Sequence, residues 1–191
     1  MAALLSNMVF IHVPKTGGTT VRAACADLIT DELGRKHDGY NDIKNAVGNR
    51  KCFATVRGTL DWYRSVWCHR IRTGESGGGV IADAVWSDDF PVWIEQVTQA
   101  EPGNYGRLLL RMLGKSKAAI VRTECLYADL ERLLPQGSLK IPLRQNVAGV
   151  EQLEAVWDGR LVEMVQRSEG REYYPREFLA RYGSRILSTQ A

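Results

Sequence analysis

Pro14-Lys15-Thr16-Gly17-Gly18-Thr19-Thr20 is the stretch of this 191-residue chain best equipped for chemistry. Two adjacent glycines let a backbone curl and approach a ligand without Cβ obstruction. The amide N–H groups of such a loop, with those of the first turn of a following helix, converge on an anion. Thr19 and Thr20 add hydroxyl donors, Thr20 is also placed to cap the helix, and Lys15 supplies a mobile positive charge. The plainer alternative is an ordinary strand-to-helix turn with an exposed lysine. A GxxxxGK[ST] loop is excluded by order, because Lys15 comes before the glycines rather than after them.

The elements that must hold this loop read as follows. Met8-Val9-Phe10-Ile11-His12-Val13 is a short apolar, β-branched run, so a buried strand is expected there. Val21 to Leu33 is expected to be a helix closed by Gly34, with Val21, Ala24, Cys25, Leu28 and Ile29 on one face. A second strand is expected at Cys52–Val56, ending at Arg57-Gly58, and a helix from about Leu60 to Ile71. Further helices are expected at Asp88–Val97, with Asp88 or Asp89 near its N-cap, at Tyr105–Leu113, and at Leu126–Leu134 before Pro135. A third strand falls at Ala118–Val121, and the chain beyond Val150 reads as helical. Strands alternating with helices imply an α/β layer with a central parallel sheet, formed here as a single domain over residues 1–191. Lys15 then stands at a strand's end, where open α/β sheets place ligands. Gly74–Gly79 reads either as a lid or acceptor loop or as a plain connector.

The order of the first loop carries a resemblance. His12-Val13-Pro14-Lys15-Thr16-Gly17-Gly18-Thr19-Thr20 closely resembles the 5′-phosphosulfate-binding loop of carbohydrate sulfotransferases that use 3′-phosphoadenosine-5′-phosphosulfate (PAPS), the Golgi glycan O-sulfotransferases and their bacterial relatives. That family has a second motif, a strand followed by R-[D/N/G]-x6-S, which binds the 3′-phosphate. Val56-Arg57-Gly58-Thr59-Leu60-Asp61-Trp62-Tyr63-Arg64-Ser65 stands at that spacing. An arginine at a strand's end is a forked cation suited to phosphate, and Ser65 lies about two helical turns further on. The family usually has Asp-Pro or Asn-Pro after the arginine, where this chain has Gly58-Thr59. Weaker likeness continues through Val121–Leu130, Ile141–Asn146 and Glu172–Tyr182.

The resemblance implies a P-loop-like sulfotransferase fold, PAPS as co-substrate, and a hydroxylated acceptor of carbohydrate, glycoconjugate or small-molecule type. It implies donor binding by Lys15, Thr16, Gly17, Gly18, Thr19, Thr20, Arg57 and Ser65. Lys15 also serves the bridging oxygen in catalysis. Sulfuryl transfer needs a base for the acceptor hydroxyl. Family members often carry theirs between the two motifs, where this chain has Arg35-Lys36-His37-Asp38, so His37 is the expected base. Asp38, Glu75 and His69 are the fallbacks, and His12 reads as support for the loop. A small-molecule kinase with an atypical loop and a non-catalytic nucleotide- or phosphoglycan-binding module remain as rivals. The kinase is disfavoured because no Mg²⁺-binding carboxylate clearly follows the strand bearing Arg57.

Composition bounds these readings. Apolar residues make up 45% and charged residues 25% of the chain, which is ordinary for a globular protein. A net charge of +3 fits an anionic ligand and is too small to argue for nucleic acid. Cys25, Cys52, Cys68 and Cys125 are scattered without metal-ligand spacing, so no metal is expected and reduced thiols are. The start lacks a basic region followed by a long apolar one, and no window approaches a membrane span. A cytoplasmic protein without a membrane anchor is therefore expected.

Overall fold

A computed structural model describes residues 1–35, 37–74, 81–82, 85–140, 155–170 and 180. The chain divides into two compact units, each made of two stretches of sequence. The first unit comprises Met1–Arg57 and Leu109–Asn146, and the second Gly58–Leu108 and Val147–Ala191.

The first unit holds a five-stranded sheet. Its strands are β1 (Ala2–Leu5), β2 (Met8–Ile11), β3 (Ile29–Leu33), β4 (Lys51–Val56) and β5 (Ala119–Arg122), in the order β3-β1-β2-β4-β5. β2, β4 and β5 pair in parallel, with Phe10 opposite Phe53 and Val56 opposite Arg122. β1 is antiparallel to both of its neighbours, so β3 runs the same way as β2, and four strands share one direction. The sheet is thus mixed rather than wholly parallel. The cause is the two-residue connection Ser6-Asn7 between Leu5 and Met8, since so short a link can only reverse the chain.

The helix expected over Val21–Leu33 is not formed as one element. α1 covers only Gly18–Ala24, a single 3-10 turn follows at Ala26–Leu28, and Ile29–Leu33 is β3. Pairing decides the matter. β1 buries Ala2, Ala3 and Leu5, and its outer edge needs a hydrogen-bonding partner. Ile29 and Thr30 are β-branched and suit that role. Arg22 of α1 then reaches Glu32 of β3 in a two-pronged ion pair. The sequence reading also passed over β1 and α2 (Tyr40–Val47).

Alternation along the strands builds the core. Ala3, Leu5, Met8, Phe10, Phe53 and Val121 form one face, packed with Val21 of α1 and Cys25 at its C-terminal end. Leu126 and Leu130 of α6 (Leu126–Glu131), with Leu134 beyond it, complete the cluster. The Phe10 and Phe53 rings stack at 5.1 Å between adjacent strands. Val9, Ile11, Ala54, Val56 and Ile120, which point the other way, are buried too. Strands covered on both faces are the usual condition of parallel pairing.

The second unit holds α3 (Thr59–Thr73), α4 (Phe90–Ala100), the start of α5 (Asn104–Leu113) and α7 (Gly159–Ser168). Asp89 caps α4, accepting from the Val92 N–H at 2.9 Å. Its core is aromatic, with Trp62, Tyr63, Trp93 and Tyr105 fully buried. One carboxylate organises this core. Glu169 is 3% exposed, and accepts from the Tyr63 hydroxyl at 2.6 Å and from the Tyr105 and Gly106 N–H groups at 2.8 and 3.0 Å. It therefore caps the first turn of α5 from a distant point in the chain.

All four cysteines are thiols rather than disulfides, and burial pushes that of Cys25 up to about 11. Among the described residues, no helix is long and apolar enough to cross a membrane.

Candidate functional site

The loop between β2 and α1 lies in the first unit, at the C-terminal edge of the parallel strands. Its core is Thr16, which is completely buried. The Thr16 hydroxyl donates to the Val13 carbonyl at 2.8 Å and lies 2.7 Å from the Thr55 hydroxyl. A hydroxyl has one proton, so the Thr55 hydroxyl is the donor to Thr16. Thr16 thus ties the loop to β4 with its side chain, and only its backbone is placed to meet a ligand.

Two further groups hold the loop by its carbonyls. Arg57, just past β4, donates from Nη1 to the Lys15 carbonyl at 3.2 Å. The Thr123 hydroxyl, just past β5, lies 2.8 Å from the carbonyls of both Thr16 and Val56. In a trans peptide the C=O and N–H of one unit point in opposite directions. Drawing the Lys15 and Thr16 carbonyls toward β4 and β5 therefore turns the N–H groups of Thr16 and Gly17 the other way. Gly18, Thr19 and Thr20 continue the row as the first turn of α1, whose N–H groups have no partner within the helix.

The backbone is strained to do this. Lys15 sits at φ 66° and Gly17 at φ 82°. The glycine adopts this region freely, whereas for a lysine it is uncommon. Gly18 is needed for a different reason. A Cβ there would meet the His12 ring, with Cγ at 2.8 Å. His12 in turn stacks on Phe10 at 5.9 Å, so its ring lies between Phe10 and Gly18. Thr20 does not cap α1. The helix starts earlier than expected, Gly17 is its N-cap, and Thr20 is its third residue.

Arg122 ends β5, and its backbone N–H, Nε and Nη2 all bond Asp129 of α6 at 3.0, 3.0 and 3.1 Å. The Arg122 guanidinium holds the Asp129 carboxyl below the ordinary carboxylate range. Arg122 is thus neutralised by a partner in its own unit. Its spacing to Asp129 in the Val121–Leu130 segment is explained by strand-to-helix packing.

His37 lies in the loop between β3 and α2, half-buried, at φ 70°. Ser6, Lys15 and His37 are the non-glycine residues with positive φ among those described. Because β3 and β2 run the same way, the His37 loop leaves the same edge of the sheet as the Lys15 loop. One strand stands between β3 and β2, so their ends are roughly 10 Å apart at ordinary strand spacing. Asp38, a fallback base, is engaged in the turn itself. Its carboxylate accepts from the Arg35 N–H at 2.7 Å, and its own N–H donates to the Arg35 carbonyl at 3.1 Å.

Ser65 and His69 are half-buried on α3, in the second unit, whereas Arg57 closes the first. Glu75, Lys36, the greater part of Gly74–Gly79, Ile141–Asn146 and nearly all of Glu172–Tyr182 lie outside the described residues. Among the described residues, no group of three or more His, Cys, Asp or Glu side chains gathers where it could hold a metal ion. Sequence reasoning missed Thr55 and Thr123 as loop-holding residues. A threonine inside the buried run Phe53–Val56 was a signal, because a buried hydroxyl needs a partner.

No protein-family model, no curated protein and no solved structure matches this chain.

Proposed function

We propose that this protein is a PAPS-dependent O-sulfotransferase acting on a hydroxyl of a carbohydrate, glycoconjugate or small-molecule acceptor, within a P-loop-like sulfotransferase fold. The observation that supports the reading is the Lys15–Gly18 loop, where Arg57 and Thr123 draw back the Lys15 and Thr16 carbonyls and so turn the Thr16 and Gly17 N–H groups away from the strand ends, as an anion site requires. Strain at Lys15 and His37 supports it, since sparsely populated backbone conformations gather at functional sites.

In this reading the loop from Lys15 to Thr20 cradles the 5′-phosphosulfate, with Thr16 contributing its backbone only. Arg57 and Ser65 bind the 3′-phosphate. A guanidinium carries five N–H donors, so the bond from Arg57 to the loop is compatible with a phosphate on the same group. The acceptor oxygen forms a bond to sulfur as the bond from sulfur to the 5′-phosphate oxygen breaks. The acceptor proton passes to His37, and Lys15 stabilises charge on the departing oxygen. Adenosine 3′,5′-bisphosphate leaves. No metal takes part.

The test is a screen of hydroxylated acceptors with labelled PAPS in the absence of Mg²⁺, beside thermal shifts with adenosine 3′,5′-bisphosphate and 5′-AMP. Label transfer and a larger shift with the bisphosphate are expected. A preference of ~100-fold at saturation amounts to about 2.7 kcal/mol of added stability. Equal shifts would remove the assignment of Arg57 and Ser65. Tight bisphosphate binding without transfer to any acceptor would favour a binding module, and Mg²⁺-dependent transfer from a nucleoside triphosphate a kinase.

A further inference from the structure

We infer that Thr123 is a positioning residue for the anion-binding loop, and that its hydroxyl sets which way the Gly17 N–H points. The inference rests on reading Lys15–Gly18 as that loop, and it assigns a role to a residue on the opposite side of β4 from β2. Thr123 follows β5, 107 residues from Thr16 along the chain. Its one hydroxyl proton stands between two acceptors, the carbonyls of Thr16 and Val56, both at 2.8 Å. The Val56 carbonyl belongs to the end of β4 and is fixed by the sheet. The Thr16 carbonyl belongs to the loop, and rotation of its peptide unit would carry the Gly17 N–H with it. The shared hydroxyl thus references the loop's peptide plane to the sheet.

The methyl group has a separate role. A Cβ built on Gly17 would lie 3.4 Å from Thr123 Cγ2, so the methyl covers the glycine at its positive-φ turn. Serine would keep the hydroxyl and lose this cover, whereas valine would keep the shape and lose the hydroxyl. The two substitutions separate positioning from packing. The Thr16 side chain cannot substitute for Thr123, because its hydroxyl is already committed to Val13.

The experiment uses the full chain and two readouts. Amide resonances of Thr16 and Gly17 are followed by NMR, and affinity for inorganic pyrophosphate and adenosine 3′,5′-bisphosphate is measured for each variant. Thr123→Val should move both resonances and weaken pyrophosphate binding about tenfold, the factor that one ordinary hydrogen bond represents. Thr123→Ser should return affinity to near the wild-type value. Leu134→Ala, a core truncation in the same unit, should lose stability yet bind pyrophosphate as the wild type does. Should Thr123→Val fail to fold, Thr123→Cys takes its place, since its S–H is only a weak donor. Unmoved resonances and wild-type affinity in the hydroxyl-deficient variant would overturn the inference, as would failure of serine to restore binding. If the wild type binds pyrophosphate but not the bisphosphate, the sulfotransferase reading falls and the role of Thr123 is still decided by the pyrophosphate series. If the wild type binds neither, both readings fail.

Discussion

The buried hydroxyl pair under the loop gives a prediction whose size follows from counting donors and acceptors. Thr16 and Thr55 are both completely buried, and the proton order is Thr55 to Thr16 to the Val13 carbonyl. Thr16→Val removes the middle member. It strands the Thr55 hydroxyl without its acceptor and the Val13 carbonyl without its donor. A buried polar group left unsatisfied costs about 1–3 kcal/mol, so two should cost roughly 3 kcal/mol together. Thr55→Val removes only the first donor. Thr16 then still serves Val13 and loses one accepted bond, for about 1 kcal/mol. In the double variant the Thr55 hydroxyl is gone, and only the Val13 carbonyl is stranded, for about 2 kcal/mol. The double variant should therefore be more stable than Thr16→Val alone, with a coupling of about 2 kcal/mol between the sites. Urea unfolding of the four proteins, followed by fluorescence, measures this. If the two single losses simply add, the hydroxyls do not share a proton chain and the inward orientation of Thr16 is wrong.

Three other outcomes follow. Gly18→Ala should destabilise the protein by about 1–3 kcal/mol, because the new methyl meets the His12 ring, and His12→Ala in the same chain should recover most of that; no recovery in the melting curve would place the clash elsewhere. Asp129 has a folded pKa depressed below its ordinary 3.8 by Arg122, so its contribution to stability is present above that value and is lost as pH falls through the lower folded one. Asp129→Asn should lower Tm at neutral pH and flatten the acid limb below about pH 4, and an unchanged limb would deny the linkage. His37→Ala should leave bisphosphate affinity nearly intact while reducing kcat by ~10²–10⁴-fold and removing the acid limb of the kcat/KM profile, whereas equal losses in binding and turnover would make His37 a structural turn residue.

Legibility from sequence followed how local each determinant is. The strands β2, β4 and β5 were readable because each is a short apolar run ended by Pro, Gly or a charged residue. α3 and α4 were readable from spacing and, for α4, from its Asp89 cap. β3 was not readable, because Ala24–Ile29 also satisfies a helical face, and only the unpaired edge of β1 decides between them. β1 itself is four residues of Ala and Leu, a composition with no strand preference, and its direction follows from the two-residue turn at Ser6-Asn7. The loop's residues were legible, but the mechanism that shapes it was not. Thr55 and Thr123 act on Thr16 from 39 and 107 residues away, and no local pattern encodes such a contact. The Val121–Leu130 segment contains an ion pair, Arg122 with Asp129, that ties α6 to β5.

The length of the link between Thr123 and Thr16 has a kinetic consequence. The β1–β2 hairpin closes through neighbouring residues and is cheap in chain entropy, so it is placed to form early. The pairing of β2 with β4 must enclose the chain from about residue 11 to residue 51, and that of β4 with β5 a longer segment still. The hydroxyl of Thr123 reaches the loop only when β5 has docked. Until then the peptide planes of Thr16 and Gly17 lack one of their restraints, and the loop has only part of its final shape. If the loop binds an anion as proposed, that affinity is acquired at the end of folding rather than at its beginning. A ligand that recognises the finished loop has little to grip in the transition state, so it should slow unfolding while leaving the folding rate nearly unchanged.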